Sequence, residues 1–201
     1  MFHEPTQFLE LLRPEYNDAL KYCKALCAKR SADDAEDILQ QSLLKALEHF
    51  AALNDKSKFR SWFFKIITRE FYNSIRKDFW KKFLPLDNAS SVSEMPEIFN
   101  KIESDHNKVI LNLALAKISS KQRSAILLFE IGGFSMEEIK EIQNEKSVSA
   151  IKSRLSRARE KLRKIIINEE QKFSNNNNKG SIIIGDINNE TISLITGIER
   201  K

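Results

Sequence analysis

The stretch FSMEEIKEIQNEKSVSAIKSRLSRAREKLRKII, running from Phe134 to Ile166, decides the fold. Ser135 stands three residues before Glu138, the spacing of a capping box, and Met136, Ile139 and Ile142 recur at helical spacing up to a break at Asn144. From Ser147 a second helix keeps Val148, Ile151, Leu155, Ala158, Leu162 and Ile165 on one stripe. Off that stripe the chain is polar or basic, with seven Lys or Arg against the single acid Glu160 between Ser147 and Ile166. Two short helices joined by a tight turn, the second one cationic, have the form of a helix-turn-helix, whose second helix enters the DNA major groove N-terminus first. A basic amphipathic helix also suits a membrane surface or a partner helix. Here Ser147, Ser149 and Ser153 gather at its start as short hydrogen-bonding groups for base edges or phosphates, and the apolar stripe lacks the Trp and Phe that a membrane helix wants.

Working outward, 201 residues suit one large or two small domains, and 41% hydrophobic with 30% charged residues is a globular composition. The charge map favours two. Net charge is only +5, but it is segregated: Asp33 to Glu48 carries five acids and one base, whereas Lys56 to Lys82 carries nine bases and two acids. Two separated cationic patches, with an acidic one between the ends of the chain, predict two nucleic-acid contacts and one partner of a different kind. Five glycines and four prolines, with little strand pattern before residue 173, predict an all-α protein. No apolar run approaches the ~18 residues of a membrane span, so no stable membrane insertion is expected, and the N-terminus has no secretion-signal core. The expected location is cytoplasmic. Cys23 and Cys27 share a helix face without a His or a further Cys nearby, so they are read as buried, reduced thiols rather than a metal site, and no cofactor is expected.

Before the opening stretch, Phe8, Leu11, Leu12, Ala19, Leu20, Cys23, Leu26 and Cys27 read as helix with a break near Pro14. Ser31 is an N-cap, and Ala35, Ile38, Leu39, Ser42, Leu43, Ala46, Leu47 and Phe50 trace the buried face of the next helix. Its acids suit the helix N-terminus electrostatically; the alternative reading is that with Gln40 and Gln41 they make an exposed docking surface for a basic partner. Phe59 opens the densest aromatic segment, most of it expected in the core, including Phe63, Ile66, Ile67 and Phe71. On the other side Trp62, Lys65, Arg69, Tyr72, Asn73 and Arg76 interleave cations with rings, a mixture that suits single-stranded or opening DNA. The alternative is that Trp62 and Tyr72 merely flank the core.

Residues 84–105 hold two prolines and four serines with an excess of acids, and read as a flexible linker. The expected architecture is two small helical domains, 5–83 and 106–168, the second a four-helix domain ending in the helix-turn-helix. Residues 169–201 are read as an appended Asn-rich tail, a small hairpin or disorder.

Taken together, DDAEDILQQSLLKALEHF, FRSWFFKIITREFYNSIRK, SSKQRSAILLFEIGGFSMEEIKEIQ and VSAIKSRLSRAREKLRK closely resemble the two-domain extracytoplasmic-function sigma factors of bacterial RNA polymerase over residues 5–168. The resemblance implies a non-catalytic subunit whose first domain binds the polymerase clamp and opens the minus-ten element while the second reads the minus-thirty-five element. By motif position Asp34, Glu36, Asp37 and Gln40 would face the clamp. The loop Leu53 to Lys58 with Phe59 would receive a flipped minus-ten base, and Trp62, Lys65, Arg69, Tyr72, Asn73 and Arg76 would hold the opened strand. Ser149, Lys152, Ser153, Arg154 and Arg157 would lie at the minus-thirty-five groove. The implied partners are core RNA polymerase, promoter DNA and, for some members, an anti-sigma factor. Two departures stand out: Arg69 and Asn73 replace the Asn and Asp that members often carry, and the turn QNEKSVSAIK is one residue longer than the common form, with Glu145 and Lys146 in it. A free-standing helix-turn-helix regulator is the alternative reading; for an enzyme acting on nucleic acid the sequence shows neither a phosphate-binding Gly loop nor a nucleophile-base pair.

Overall fold

The computed structural model describes residues 3–81 and 106–176. They form seven α-helices, all-α as expected: α1 His3–Leu26, α2 Ala32–Glu48, α3 Phe59–Lys81, α4 His106–Lys117, α5 Ser120–Glu130, α6 Met136–Gln143 and α7 Val148–Asn176, with 3-10 turns at Phe50–Ala52 and Lys56–Lys58. The readings of residues 84–105 and of the tail beyond residue 176 fall outside the described residues.

Local chemistry sets the helix starts. Ser31, Ser119 and Ser135 each close a capping box, with Asp34, Gln122 and Glu138 as the reciprocating residues. Each box satisfies backbone donors that the first turn leaves without a partner. Ser135→Ala is therefore expected to lower stability by ~1 kcal/mol, read as a lower urea midpoint at unchanged slope. At the other end of α6, Asn144 takes the left-handed conformation (φ 51°) and stops the helix where the pattern predicted. The break expected near Pro14 does not occur, because α1 runs unbroken through it. Phe8 and Leu12 on one side of Pro14, and Ala19, Tyr22, Cys23 and Leu26 on the other, all enter the same core, and that packing outweighs the one backbone bond proline removes. α7 continues past residue 168 to Asn176, and Glu169 on it is bonded to Lys117 at 2.6 Å and Lys172 at 3.0 Å.

The buried side chains of both halves make one continuous core. Phe64 of α3 meets Phe134 of the second half edge-on at 5.1 Å. Arg60 donates to the Gly132 carbonyl at 3.0 Å and to Asp18 at 3.0 Å, and also pairs with Glu15, so it ties α1 and α3 to the turn after α5. That turn admits only glycine at 132, since a Cβ there would lie 2.4 Å from the Phe134 ring and 2.6 Å from the Leu128 carbonyl. Arg123, 3% exposed, crosses the same boundary by donating to the Leu26 carbonyl at 2.6 Å. Both cysteines are buried, and burial pushes their thiols up, Cys27 to about 12.

Candidate nucleic-acid interface

Three surfaces carry the residues singled out in the sequence. On α3, Lys65, Arg69 and Arg76 are exposed and Asn73 is half-buried, accepting from Arg76 at 2.8 Å and donating to Glu70 at 3.2 Å. The two acids of this helix are drawn away from the cations of the stripe by other helices. Glu70 pairs with Lys45 of α2 at 2.7 Å, and Asp78 pairs with Arg30, just after α1, at 3.1 Å. What remains along α3 is a face of positive charge, suited to a phosphate backbone. Trp62 is half-buried, tilted against Phe59 at 5.9 Å. Tyr72 is half-buried as well, its hydroxyl 2.6 Å from Ser124 Oγ of α5.

Phe59 itself is 2% exposed and stacked on Phe63, so it supports the preceding loop from below instead of lying on the surface. In that loop Lys56 lies over the Phe50 ring at 3.7 Å and donates to its carbonyl, and Asp55 holds Ser57 through its backbone and hydroxyl. The expectation that most aromatics of this segment are core holds for Phe59, Phe63, Phe64 and Phe71 but not for Phe79 and Trp80, which are exposed at the end of α3.

On α7, Ser149, Lys152, Ser153 and Arg157 are exposed on one face at the N-terminal end, with Ser156 beside them, a residue the sequence reading passed over although it lies seven residues from Ser149. Arg154 is placed differently. Its guanidinium donates to Gln143 and to Glu145, the latter at 2.6 Å, and Lys121 also reaches Glu145, at 3.2 Å. Burial would raise the Glu145 carboxyl, but these two cations outweigh it and hold the group below the ordinary glutamate range. Gln143 in turn donates to Ser124 at 2.6 Å. The longer turn is thus braced by an ion pair, and one hydrogen-bonded chain, Tyr72–Ser124–Gln143–Arg154–Glu145, joins the α3 stripe to the start of α7.

On α2, Glu36, Asp37 and Gln40 are exposed. Asp34 is taken up locally: it closes the capping box with Ser31 and accepts from Arg30 at 2.7 Å. Leu47, expected on the buried face, is 47% exposed, and Leu44, which had no assigned place, is 55% exposed. Both continue the line of Asp37, Gln40 and Gln41, so this face has an acidic end and an apolar end. Among the described residues no group of three or more His, Cys, Asp or Glu is gathered as a metal site, and no helix is long and apolar enough to cross a membrane.

Known proteins share this arrangement. The sigma-70 region 2 family model matches residues 11–81, and the sigma-70 region 4 model matches residues 108–162. RNA polymerase sigma factor SigV of Bacillus subtilis is 33% identical over 138 residues, covering 68% of this chain and 78% of that protein. ECF RNA polymerase sigma factor EcfG of Rhodopseudomonas palustris is 30% identical over 143 residues, covering 69% and 74%. Among solved structures, the sigma factor RpoE from Bartonella quintana, crystallised with the anti-sigma factor NepR, superposes with a TM-score of 0.57 at 25% identity, over 79% of this chain and 97% of that one.

Proposed function

The chain belongs to the sigma-70 family, among its extracytoplasmic-function members, and on that premise we propose that it binds core RNA polymerase, recognises promoter DNA at two elements and promotes the strand opening that starts transcription. The observation that carries the division of labour is the pairing of charges. The acids of α3 are taken by Lys45 and Arg30 while Lys65, Arg69 and Arg76 stay on the surface, and on α2 the reverse holds, with Glu36 and Asp37 exposed and making no ion pair among the described residues. Residues 5–83 then serve polymerase binding and minus-ten opening, and residues 106–168 serve the minus-thirty-five element.

Opening without a nucleotide cofactor requires binding energy to replace lost pairing and stacking, a few kcal/mol per extruded base. Lys65, Arg69 and Arg76 neutralise phosphates of the opened strand, and Trp62 and Tyr72 offer rings to its bases. Phe59 acts beneath the receiving loop, as a positioning residue. The protein performs no catalysis of its own and works in the cytoplasm, where its polymerase is. An anti-sigma partner is part of the proposal, since the RpoE neighbour was crystallised with one.

In this reading Tyr72 is released from Ser124 when DNA occupies α3, so the two halves part on promoter binding. Energy-transfer labels on α3 and α7 are expected to move apart when promoter-bound holoenzyme forms; an unchanged distance would refute the separation. At the minus-thirty-five face, Lys152→Ala and Arg157→Ala are each expected to make the slope of log K against log salt shallower by ~0.9 for duplex binding by holoenzyme. Arg154→Ala is expected to act through the braced turn, lowering stability together with affinity. Run-off transcription with core polymerase on promoter fragments tests the reading as a whole: co-purification with the core and a shifted RNA start are expected. A free-standing regulator would bind the DNA and leave the core behind.

A further inference from the structure

The far end of α3 has no part in the function assigned above. Trp80 is 61% exposed, with the Phe79 ring edge-on to it at 6.1 Å. A single exposed aromatic needs no explanation; the register of Trp80 and the charge of its neighbours do. Stepping back from Trp80 by helical turns reaches Arg76, Asn73, Arg69 and Lys65, at intervals of four, three, four and four, which puts the indole on the line of the cationic stripe. Lys77 beside it is exposed and makes no ion pair among the described residues, and Asp78, the one acid within a turn, is held by Arg30.

A protein partner for this end would need acids for the cations and an apolar pocket for the ring. One strand of nucleic acid supplies both, a phosphate and a flat base, in adjacent units. Arg76 and Trp80 are separated by about 6 Å along the helix axis, a span that a stretched strand covers in about one nucleotide. We propose that Trp80 stacks on a nucleobase of the promoter strand lying along α3, extending the strand-binding face one turn beyond Arg76. This rests on the sigma-factor reading and adds to it a contact at the edge of the opened segment.

The test uses full-length protein assembled with core polymerase. Trp80→Ala is expected to shorten the lifetime of the open complex about tenfold, the equivalent of ~1.4 kcal/mol, and Trp80→Phe by a smaller factor because a ring is retained. The exposure of the side chain predicts an unchanged melting temperature for both variants. Scanning the promoter with single abasic sites should find one position at which wild-type holoenzyme loses the same factor and Trp80→Ala loses nothing more. An unchanged lifetime in Trp80→Ala would overturn the proposal, and so would weakened binding of the core by that variant, which would make this end of α3 a polymerase contact. Failure of the wild-type chain to join the core is a different result, one that removes the sigma-factor reading first.

Discussion

Arg123→Leu is expected to destabilise the protein by ~3–5 kcal/mol and to lower its melting temperature by on the order of 10 °C. The Arg123 guanidinium is 3% exposed, and its partners are main-chain carbonyls: Leu115 at 2.7 Å, Ala116 at 3.3 Å and Ile118 at 3.4 Å around the end of α4, and Leu26 at 2.6 Å at the end of α1. A helix C-terminus leaves its last carbonyls without donors and carries partial negative charge, so one cation set between two such ends satisfies both and is itself stabilised there. Leucine would fill most of the volume and leave four carbonyl acceptors without this donor, those of Leu26, Leu115 and Ile118 in buried bonds, at about 1–3 kcal/mol for each that finds no water. Arg123→Lys keeps the charge but replaces a planar fork by a single nitrogen, and is expected to recover less than half of the loss. Thermal unfolding followed by circular dichroism decides it; a shift under ~3 °C for Arg123→Leu would show that these carbonyls find other donors.

Nothing local in SSKQRSAILLFE marks Arg123 for that task, whereas the starts of α2 at Ser31 and of α6 at Ser135 were readable from short segments. Capping boxes at Ser31, Ser119 and Ser135 depend on residues three apart, and the αL stop at Asn144 depends on one residue, so the sequence displays them directly. Arg123 instead serves Leu26, ninety-seven residues away, a relation set by how α1 and α5 pack. The same limit explains the errors at Pro14 and Leu47. Periodicity records which residues share a face, but packing decides whether a proline is carried through and how far a buried face extends. At the candidate interface the cationic residues of α3 and α7 were legible because charge and register lie in the chain. The engagement of Arg154 and Asp34 was not, because their partners Gln143, Glu145 and Arg30 come from turns and neighbouring helices.

Asp37→Arg combined with Leu44→Asp is expected to abolish detectable assembly with core polymerase, and each substitution alone to weaken it on the order of tenfold to a hundredfold. The two residues lie seven apart on the exposed face of α2, with Gln40 and Gln41 between them, and neither takes part in the core. Asp37 makes no ion pair among the described residues, so its charge is available to a basic partner and its reversal turns attraction into repulsion. Leu44 offers apolar surface that water meets in the free chain; burying a leucine is worth ~1.5–3 kcal/mol, and an aspartate in its place would instead have to be desolvated. An acidic end beside an apolar one matches the make-up of a specific protein contact, in which charge steers the encounter and the apolar part holds it. Because both side chains are exposed, the variants are expected to melt with the parent, which separates lost binding from lost folding. Glu160→Arg on α7, also exposed, reproduces the change in net charge made by Asp37→Arg alone and is expected to leave core binding intact. Core binding by the double variant at the parental affinity would move the polymerase contact off α2.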